Sequence, residues 1–279
     1  MEIVAHDDTA AFAQLVMPLL AADPLRHTVT ITVLDGHLGT GDEMAVRLTL
    51  QDAGGVVGAV LRSPGRAAMG SAVPVEHAET VVAALAEIDP ELPGVSGPVA
   101  EAEAIAAAYA ARGGATDVAM RQRLFALDTL VPPAGVPGAA RVADAADLDV
   151  LGGWRHAFAE EASPHGWEGT ISPRHTVERA LRGGAGELLW EVDGEVVAQA
   201  SARRPSAGMS RIGPVYTPPE HRGHGYAAAV TAAASQWARD AGADRVVLFT
   251  DLANPTANRL YPRIGYQPVH DAVEFTFTR

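Results

Sequence analysis

The sequence lacks two residue types on which many enzyme mechanisms depend. It contains no cysteine, and all 21 of its Lys and Arg residues are arginine. Without cysteine there is no disulfide framework, thiolate metal site, iron–sulfur cluster or cysteine nucleophile. Without lysine there is no Walker A phosphate loop and no Schiff base to pyridoxal phosphate. These two absences exclude several large classes of enzyme.

Long apolar runs and positive charge are also scarce. No apolar run approaches the roughly 20 residues that a membrane span requires, and the acidic residues Glu2, Asp7 and Asp8 stand where a signal peptide has a basic start. The net charge of -13 argues against a nucleic acid partner. We therefore expect a cytoplasmic protein without a membrane or nucleic acid partner. An acidic surface suits a cationic substrate, although it is more often only a solvated face.

The length and one Pro- and Gly-rich segment predict two domains. A chain of 279 residues suits two domains of roughly 140 residues each. The segment "LVPPAGVPG" interrupts all regular periodicity between the halves. We place the boundary near Val136, which gives domains over 1–135 and 136–279.

The C-terminal half predicts an α/β (α+β) domain with meander strands first and crossover helices later. The dipeptide in "VDGE" predicts a tight hairpin between two of the strands. The predicted helices are 145–162, 173–182, 224–241 and 255–264, and the predicted strands are 140–143, 187–193, 195–203, 209–217, 244–251 and a final extended pair.

A glycine-rich turn precedes an alanine-rich helix in "PEHRGHGYAAAV". Ser, Thr, Asp and Asn stabilise the start of a helix better than glycine does. The presence of Gly223 and Gly225 there therefore suggests that a ligand comes close to the backbone, which a side chain would block. The first four amides of a helix lack intrahelical partners, and the helix dipole favours negative charge there. Arg222 adds a permanent positive charge. The turn is therefore predicted to bind an anion such as a diphosphate.

The segment from Arg222 to Ala227 resembles the R/Q-x-x-G-x-G/A signature of the GNAT superfamily of N-acetyltransferases, and "TDLANPTANRLYPRIGYQPV" is similar to the family's fifth strand and last helix. The resemblance covers about residues 138–279. It implies that the turn binds the pyrophosphate of acetyl-CoA and that backbone amides before it contact the acyl-pantetheine arm. The cofactor-binding residues it implies are Val215, Tyr216, Thr217, Arg222, Gly223, His224, Gly225, Tyr226, Ala227, Asn254 and Asn258.

The reaction that the resemblance implies is direct acetyl transfer within a ternary complex. An amine attacks the thioester carbonyl, a tetrahedral oxyanion forms, and the CoA thiolate leaves and takes a proton. The resemblance places the phenol of Tyr261 near the sulfur, and an ordinary pKa of about 10 keeps it protonated, so Tyr261 is the predicted donor. The amide of Val215 would polarise the carbonyl. The alternative is that Tyr261 only packs.

The general base is not assigned, because the strand 209–217 carries no carboxylate. A water chain is one alternative, and side chains in the segment that shapes the acceptor site are another, although each is more often a solvated surface residue. The candidates there are Glu160, Glu161, His165 and Glu168. Glu220, His221 and His224 lie on the anion-binding turn, which argues against a metal site, and the family's chemistry requires no metal.

The N-terminal half carries a weak repeat of the same pattern. "SAVPVEHAETVVAALAE" is similar to "VYTPPEHRGHGYAAAVT", and Tyr109 stands four residues before a glycine, as Tyr261 does. A repeat of this size predicts tandem GNAT-like domains, each with a mixed, largely antiparallel twisted sheet flanked by helices. The first copy has Ala78, Glu79 and Thr80 where the second has its arginine and glycines, so 1–135 is interpreted as a degenerate domain without a cofactor site. Chance recurrence in an alanine-rich chain is the alternative.

Two other function classes provide a comparison. A CoA-binding sensor without turnover needs neither Tyr261 nor an open acceptor cleft. An NAD-dependent oxidoreductase is disfavoured because "GHLGTG" at 36–41 has the wrong glycine spacing and no βαβ unit around it. The expected acceptor is a small-molecule amine, an aminoglycoside, polyamine or amino acid included, or a peptide N-terminus. A homodimer is left open.

Overall fold

The computed structural model describes residues 1–41, 44–162 and 172–278. It divides into two compact units: unit 1 comprises Met1–Gln122 and His270–Arg279, and unit 2 comprises Arg123–Val269. The end of the chain therefore belongs to unit 1. The division into domains at Val136 stays a prediction, whereas the compact units divide at Gln122 and Val269. No helix within the described ranges is both long enough and apolar enough to cross a membrane.

The described part of unit 1 consists of α-helices and the strands of a mixed sheet. Its elements in chain order are β1 (Glu2–Ala5), α1 (Thr9–Ala22), α2 (Thr28–Thr40), β2 (Val46–Asp52), β3 (Gly55–Arg62), β4 (Ala68–Ser71), α3 (Ala78–Ile88), β5 (Gly94–Pro98), α4 (Val99–Ala111) and the first part of β6 (Ala115–Leu127).

Unit 2 repeats the same order of elements. They are β7 (Ala139–Val142), α5 (Leu148–Ala162), α6 (Pro173–Arg182), β8 (Gly186–Val192), β9 (Glu195–Ala202), β10 (Met209–Tyr216), α7 (Tyr226–Asp240), β11 (Arg245–Asp251), α8 (Pro255–Arg263) and the start of β12 (Tyr266–Thr278). The duplicated, largely antiparallel fold predicted from the sequence repeat is thus confirmed.

The strands of the two units share one pairing pattern. In unit 1, β1, β2, β3 and β4 pair antiparallel in turn, and β4 pairs parallel with β5. In unit 2, β7, β8, β9 and β10 pair antiparallel in turn, and β10 pairs parallel with β11. Residues Ala272–Thr276 of β12 pair with β5, and β6 is the neighbour of β11 in the strand order. Each unit therefore takes a strand from the end of the other repeat.

The core of unit 2 lies mainly between the sheet and α7. Small side chains of α7, among them Val230, Ala234 and Ala238, pack with Ala200 and Ala202 of β9. Small residues on both surfaces let the helix lie close to the sheet, and burial of this apolar area stabilises the unit. A smaller cluster on the other face contains Ala143, Leu151, Val177 and Leu189. The close packing of α7 fixes its N-terminus beside the end of β10.

The hairpin predicted from "VDGE" is confirmed. β8 and β9 are antiparallel neighbours joined by Asp193 and Gly194, whose φ angles are 51° and 84°. Two successive residues with positive φ form the turn whose twist matches that of the flanking strands. The predicted helix 173–182 coincides with α6, Pro173–Arg182.

Gly265 offers a test of the turn that ends α8. Its φ is +101°, and an added Cβ would overlap the carbonyl oxygen of Thr129. Gly242 has a similar φ of +94° with no atom within 4 Å of such a Cβ. We expect Gly265→Ala to lower the free energy of unfolding by about 3 kcal/mol and Gly242→Ala by about 1 kcal/mol. Urea denaturation measures both, and equal losses would contradict the close approach.

Candidate functional site

The glycine-rich turn lies between β10 and α7. A short 3-10 turn, Pro219–His221, is followed by residues 222–225, and α7 begins at Tyr226 rather than at the predicted residue 224. Gly223 and Gly225 both have a φ of +85°, a left-handed conformation that glycine adopts without strain. A Cβ at Gly223 would meet no atom within 4 Å, whereas one at Gly225 would lie 3.1 Å from Val136. Gly223 therefore presents bare backbone to open space.

The first amides of α7 have no partners within the helix. Gly225 is the N-cap and supplies no side-chain hydrogen bond, and the amide of Ala229 bonds to its carbonyl at 3.1 Å. The amides of Tyr226, Ala227 and Ala228 precede that bond, so they point out of the helix end. Together with the helix dipole they favour an anion at this position.

Arg222 lies beside this turn in a small polar network. Its Nε donates to the carbonyl of Thr217 at 2.9 Å, and its terminal nitrogen donates to Glu161 at 2.6 Å. The hydroxyl of Tyr216 donates to the other oxygen of Glu161 at 3.0 Å, and the guanidinium lies 5.9 Å from the centre of the Tyr216 ring. Burial, and then the bond to Glu161, raise the pKa of Tyr216. Glu161 therefore positions and partly neutralises Arg222.

This network bears on the candidates for a general base. Both carboxylate oxygens of Glu161 accept hydrogen bonds, from Tyr216 and Arg222. Glu160 precedes it on α5 and is exposed. His165 and Glu168 lie outside the described residues. The base stays unassigned.

β10 separates from β11 before it reaches the turn. The two strands pair in parallel from Met209 to Ile212, and within residues 172–278 no pairing between them is found beyond Ile212. β10 continues alongside β9, with a register shift between Ile212 and Val215. The backbone of 215–217 therefore runs next to a gap between strands. The dipeptide Gly213-Pro214 could have predicted this separation from the sequence. Proline has no backbone N–H and therefore cannot donate a hydrogen bond to a neighbouring strand.

The turn from β11 into α8 is held by two asparagines. Asn254 caps α8 with its side-chain oxygen. The side-chain nitrogen of Asn258 donates to the carbonyls of Asp251, Leu252 and Asn254 at 2.8–3.2 Å, and its oxygen accepts from Thr250 at 2.5 Å. The structure thus uses the Asn258 amide within the turn. Direct binding of a ligand by either asparagine stays a prediction.

Tyr261 lies on α8 with 8% of its surface exposed. Its ring packs edge-on against Tyr266, with ring centres 6.0 Å apart, and its hydroxyl makes no hydrogen bond to any described residue. The hydroxyl of Tyr266, in contrast, bonds to Ser235 at 2.7 Å. Burial raises the pKa of Tyr261 to about 12. Its phenol is therefore protonated at neutral pH, and its O–H group is free of hydrogen bonds to the described residues.

The remaining predicted residues flank the turn. His224 is exposed, stacks on the ring of the buried Tyr226 at 5.4 Å, and its Nδ1 donates to the carbonyl of His221 at 3.2 Å. His221 lies 3.4 Å from Glu195. Among the described residues, no three His, Asp or Glu side chains come together in a group that could hold a metal ion.

Unit 1 lacks the four-residue segment that makes this turn. The 3-10 turn Val75–His77 leads directly into α3 at Ala78, so residues 222–225 have no counterpart between turn and helix. Tyr109 differs from Tyr261 because its ring is stacked on Phe277 at 4.0 Å. The absence of a cofactor site from unit 1 stays a prediction, and these differences support it.

The comparisons with known proteins concern the family and the fold. The model of the acetyltransferase (GNAT) family matches residues 153–266, a range that contains the turn, β10 and Tyr261. No curated protein matches the sequence. The resemblance to the GNAT superfamily inferred from the sequence is thereby confirmed.

Several solved structures share the fold. A GNAT-family acetyltransferase from Colwellia psychrerythraea is 14% identical over 100% of both chains, with a TM-score of 0.64. A tandem GNAT protein from the clavulanic acid biosynthesis pathway is 15% identical over 99% of this chain and 98% of its own, with a TM-score of 0.61. A GCN5-related N-acetyltransferase from Kribbella flavida is 24% identical over 79% of this chain and 86% of its own, with a TM-score of 0.56. The likenesses over both units confirm the tandem fold.

The two asparagines of the β11–α8 turn differ in their predicted effect on stability. We expect Asn258→Ala to lower the free energy of unfolding by about 2–3 kcal/mol, because three carbonyls lose a donor. Asn254→Ala should cost about 1 kcal/mol, the usual effect of losing one helix cap. Chemical denaturation of the two variants measures the difference. A smaller loss for Asn258→Ala than for Asn254→Ala would contradict the structural role given to Asn258.

Proposed function

From the premise that residues 153–266 form a domain of the GNAT acetyltransferase family, we propose that the protein transfers an acetyl group from acetyl-CoA to a primary amine by direct attack in a ternary complex. The observation that supports this most strongly is the position of the turn. Bare backbone at Gly223 and the unpaired amides of α7 lie at the end of the strand that separates from β11. The unpaired amides suit a diphosphate, and the gap beside the strand suits a narrow, extended chain joined to that diphosphate.

The residues present fit acetyl-CoA at this place. The amides of Tyr226, Ala227 and Ala228, with Arg222, would hold the diphosphate. The backbone of 215–217 would hold the pantetheine arm along the gap between β10 and β11. Acetyl-CoA would supply a thioester, whose carbonyl carbon forms the new bond to nitrogen while its bond to sulfur breaks. The nitrogen gives up one proton to solvent, and the sulfur leaves as the CoA thiolate.

Two groups of the chain would act on the thioester. The amide of Val215 donates a hydrogen bond to the carbonyl oxygen, and a donor fixed in advance at that atom stabilises developing negative charge. The hydroxyl of Tyr261 would donate a hydrogen bond to the sulfur. With a pKa of about 12, complete proton transfer from this phenol to a thiolate, whose thiol has a pKa of about 8.5, is uphill by several kcal/mol. A hydrogen bond that stabilises the leaving sulfur is therefore favoured over full transfer.

The alternative function is a CoA-binding sensor without turnover. A sensor does not require a hydrogen-bond donor at the thioester. Tyr261 has a buried phenol whose hydroxyl forms no hydrogen bond with a described residue, and such a donor is what the enzyme requires. Unit 1 is proposed as the degenerate copy, with a structural role or a part in completing the acceptor pocket. These proposals make the enzyme and the sensor separable by experiment.

Gly223→Glu tests the turn against a matched control. Gly194 has a φ of +84° and, like Gly223, open space around an added Cβ, so Gly194→Glu carries the same backbone strain away from the site. We expect calorimetry to show one acetyl-CoA site per chain in the wild type, no binding for Gly223→Glu, and unchanged affinity for Gly194→Glu. Two sites per chain would contradict a degenerate unit 1. Full affinity in folded Gly223→Glu would contradict the role of the turn.

Tyr261→Phe separates the enzyme from the sensor. We expect acetyl-CoA affinity to hold while the single-turnover rate falls by about 10²-fold, because the sulfur loses its donor. Tyr266→Phe is the control, since its hydroxyl is already bonded to Ser235. In the wild type, loss of activity from ionisation of Tyr261 should appear only near its raised pKa of about 12 and not near pH 10. An unchanged rate in Tyr261→Phe would make the residue a packing residue, and tight binding without acetylation of any amine would favour the sensor.

A further inference from the structure

Polar side chains line the face of the unit 2 sheet opposite α7. Along β9, successive side chains alternate between the two faces. Ala200 and Ala202 belong to the cluster packed on α7, so Gln199 and Ser201 face the other side, with Leu189 and Glu187 as their register partners on β8. That side carries α5, because Glu187 bonds there to Arg155 of α5.

Two arginines without partners lie on this face. Arg203 follows β9, and its amide donates to the carbonyl of Arg211 on β10 at 3.0 Å, so the two residues are directly opposite. The adjacent pair, Ala202 and Ile212, faces the α7 core, which places both arginines on the α5 side. Neither guanidinium forms an ion pair or hydrogen bond with any residue in the described ranges.

The nearby carboxylate is already bound. Glu187 is fully buried and accepts hydrogen bonds from Arg155 at 2.8 Å and Ser201 at 2.9 Å. Glu187 therefore pairs with Arg155, and no carboxylate in the described ranges pairs with Arg203 or Arg211, in a protein whose net charge is -13. Burial, and then the neighbouring Arg203, lower the pKa of Arg211 to about 9, so it remains charged at neutral pH. Arg211 is half-buried and Arg203 is exposed, so an external anion can reach both guanidinium groups and balance their charge.

Unsatisfied polar atoms continue along the same face towards the acetyl-CoA turn. Nε of Arg155, one oxygen of Glu187 and both amide atoms of Gln199 are buried without a hydrogen-bond partner. Gln199 is the register partner of Tyr216, the last residue of β10. Buried polar groups normally have partners, and their absence here indicates that a polar ligand completes the set.

We infer that Arg203 and Arg211 bind an anionic group, a carboxylate or a phosphate, carried by the amine acceptor. This inference rests on the proposed acetyl transfer. Arg211 precedes Val215 by four residues on the same strand, a span of at most roughly 13 Å. An acceptor whose anion meets the arginines while its amine reaches the thioester is therefore short, such as an amino acid or a small amino phosphate. The overall acidic charge of the protein suits a cationic substrate. Arg203 and Arg211, in contrast, give this face a local positive charge.

Direct binding of anions is the first test. Thermal unfolding is followed at constant ionic strength with glycine, phosphoethanolamine or inorganic phosphate, and with chloride as the reference. We expect at least one of these probes to raise the Tm by a few degrees in the wild type and in the control Arg204→Gln, whose arginine is the exposed neighbour of Arg203. The shift should be lost in Arg211→Gln. Stabilisation no greater than that by chloride for every probe would overturn the inference.

Acetylation of paired amines is the second test. Amino acids and amino phosphates are compared with their neutral esters, and released CoA is measured with a thiol reagent, which the cysteine-free protein does not consume. We expect kcat/KM to be at least about 10²-fold higher for the anionic member of a pair, and this preference to be lost in Arg211→Gln mainly through KM. Arg211→Lys should keep part of it, because it keeps the charge but loses the planar fork. Preference for the carboxylate or for the phosphate member identifies the source of the anion.

The outcomes separate this inference from the proposed function. Equal use of anionic and neutral amines, unchanged in Arg211→Gln, overturns the anion site and leaves acetyl transfer standing. Anion-specific stabilisation with no amine acetylated refutes acetyl transfer and leaves the anion site standing. Arg203→Gln provides a second variant if Arg211→Gln does not fold.

Discussion

The candidate site depends on β10 leaving β11 after Ile212 while it stays paired with β9. A strand in a mixed sheet normally satisfies its backbone groups on both sides. The separation leaves 215–217 beside a gap, and the close packing of α7 against β9 fixes the helix start at the end of that gap. The separation thus brings the backbone of 215–217 close to the free amides at the start of α7. These backbone groups carry no formal charge.

Charge is distributed in a way that the overall composition hides. The excess of acidic residues gives a net charge of -13, yet the α5 face of unit 2 holds Arg203 and Arg211, which pair with no carboxylate in the described ranges. At the glycine-rich turn the reverse holds, because Glu161 already binds Arg222. In the proposed site, the amides of α7 would therefore supply donors for an anion in addition to the partly neutralised Arg222.

The two units differ by a short segment at the start of one helix. Both units have the same order of elements, and both keep a Pro-x-Glu-His segment as a 3-10 turn after the fourth strand. In unit 1 the helix starts at once, whereas in unit 2 residues 222–225 intervene. Two glycines with a φ of +85° allow those residues to curl, so the local chain alone makes the difference.

The sequence by itself determined the features that local backbone preferences specify: the hairpin at Asp193-Gly194, the glycine turn before α7, the order of elements and their repetition. It also located Tyr261 through a family motif. Only the tertiary structure decided that Glu161 binds Arg222, that Asn258 is used within its turn and that β12 returns to unit 1. It also decided that Arg203 and Arg211 share a face on which no described residue is their counterion. These depend on pairings between residues far apart in sequence and on burial, which no local pattern of residues records.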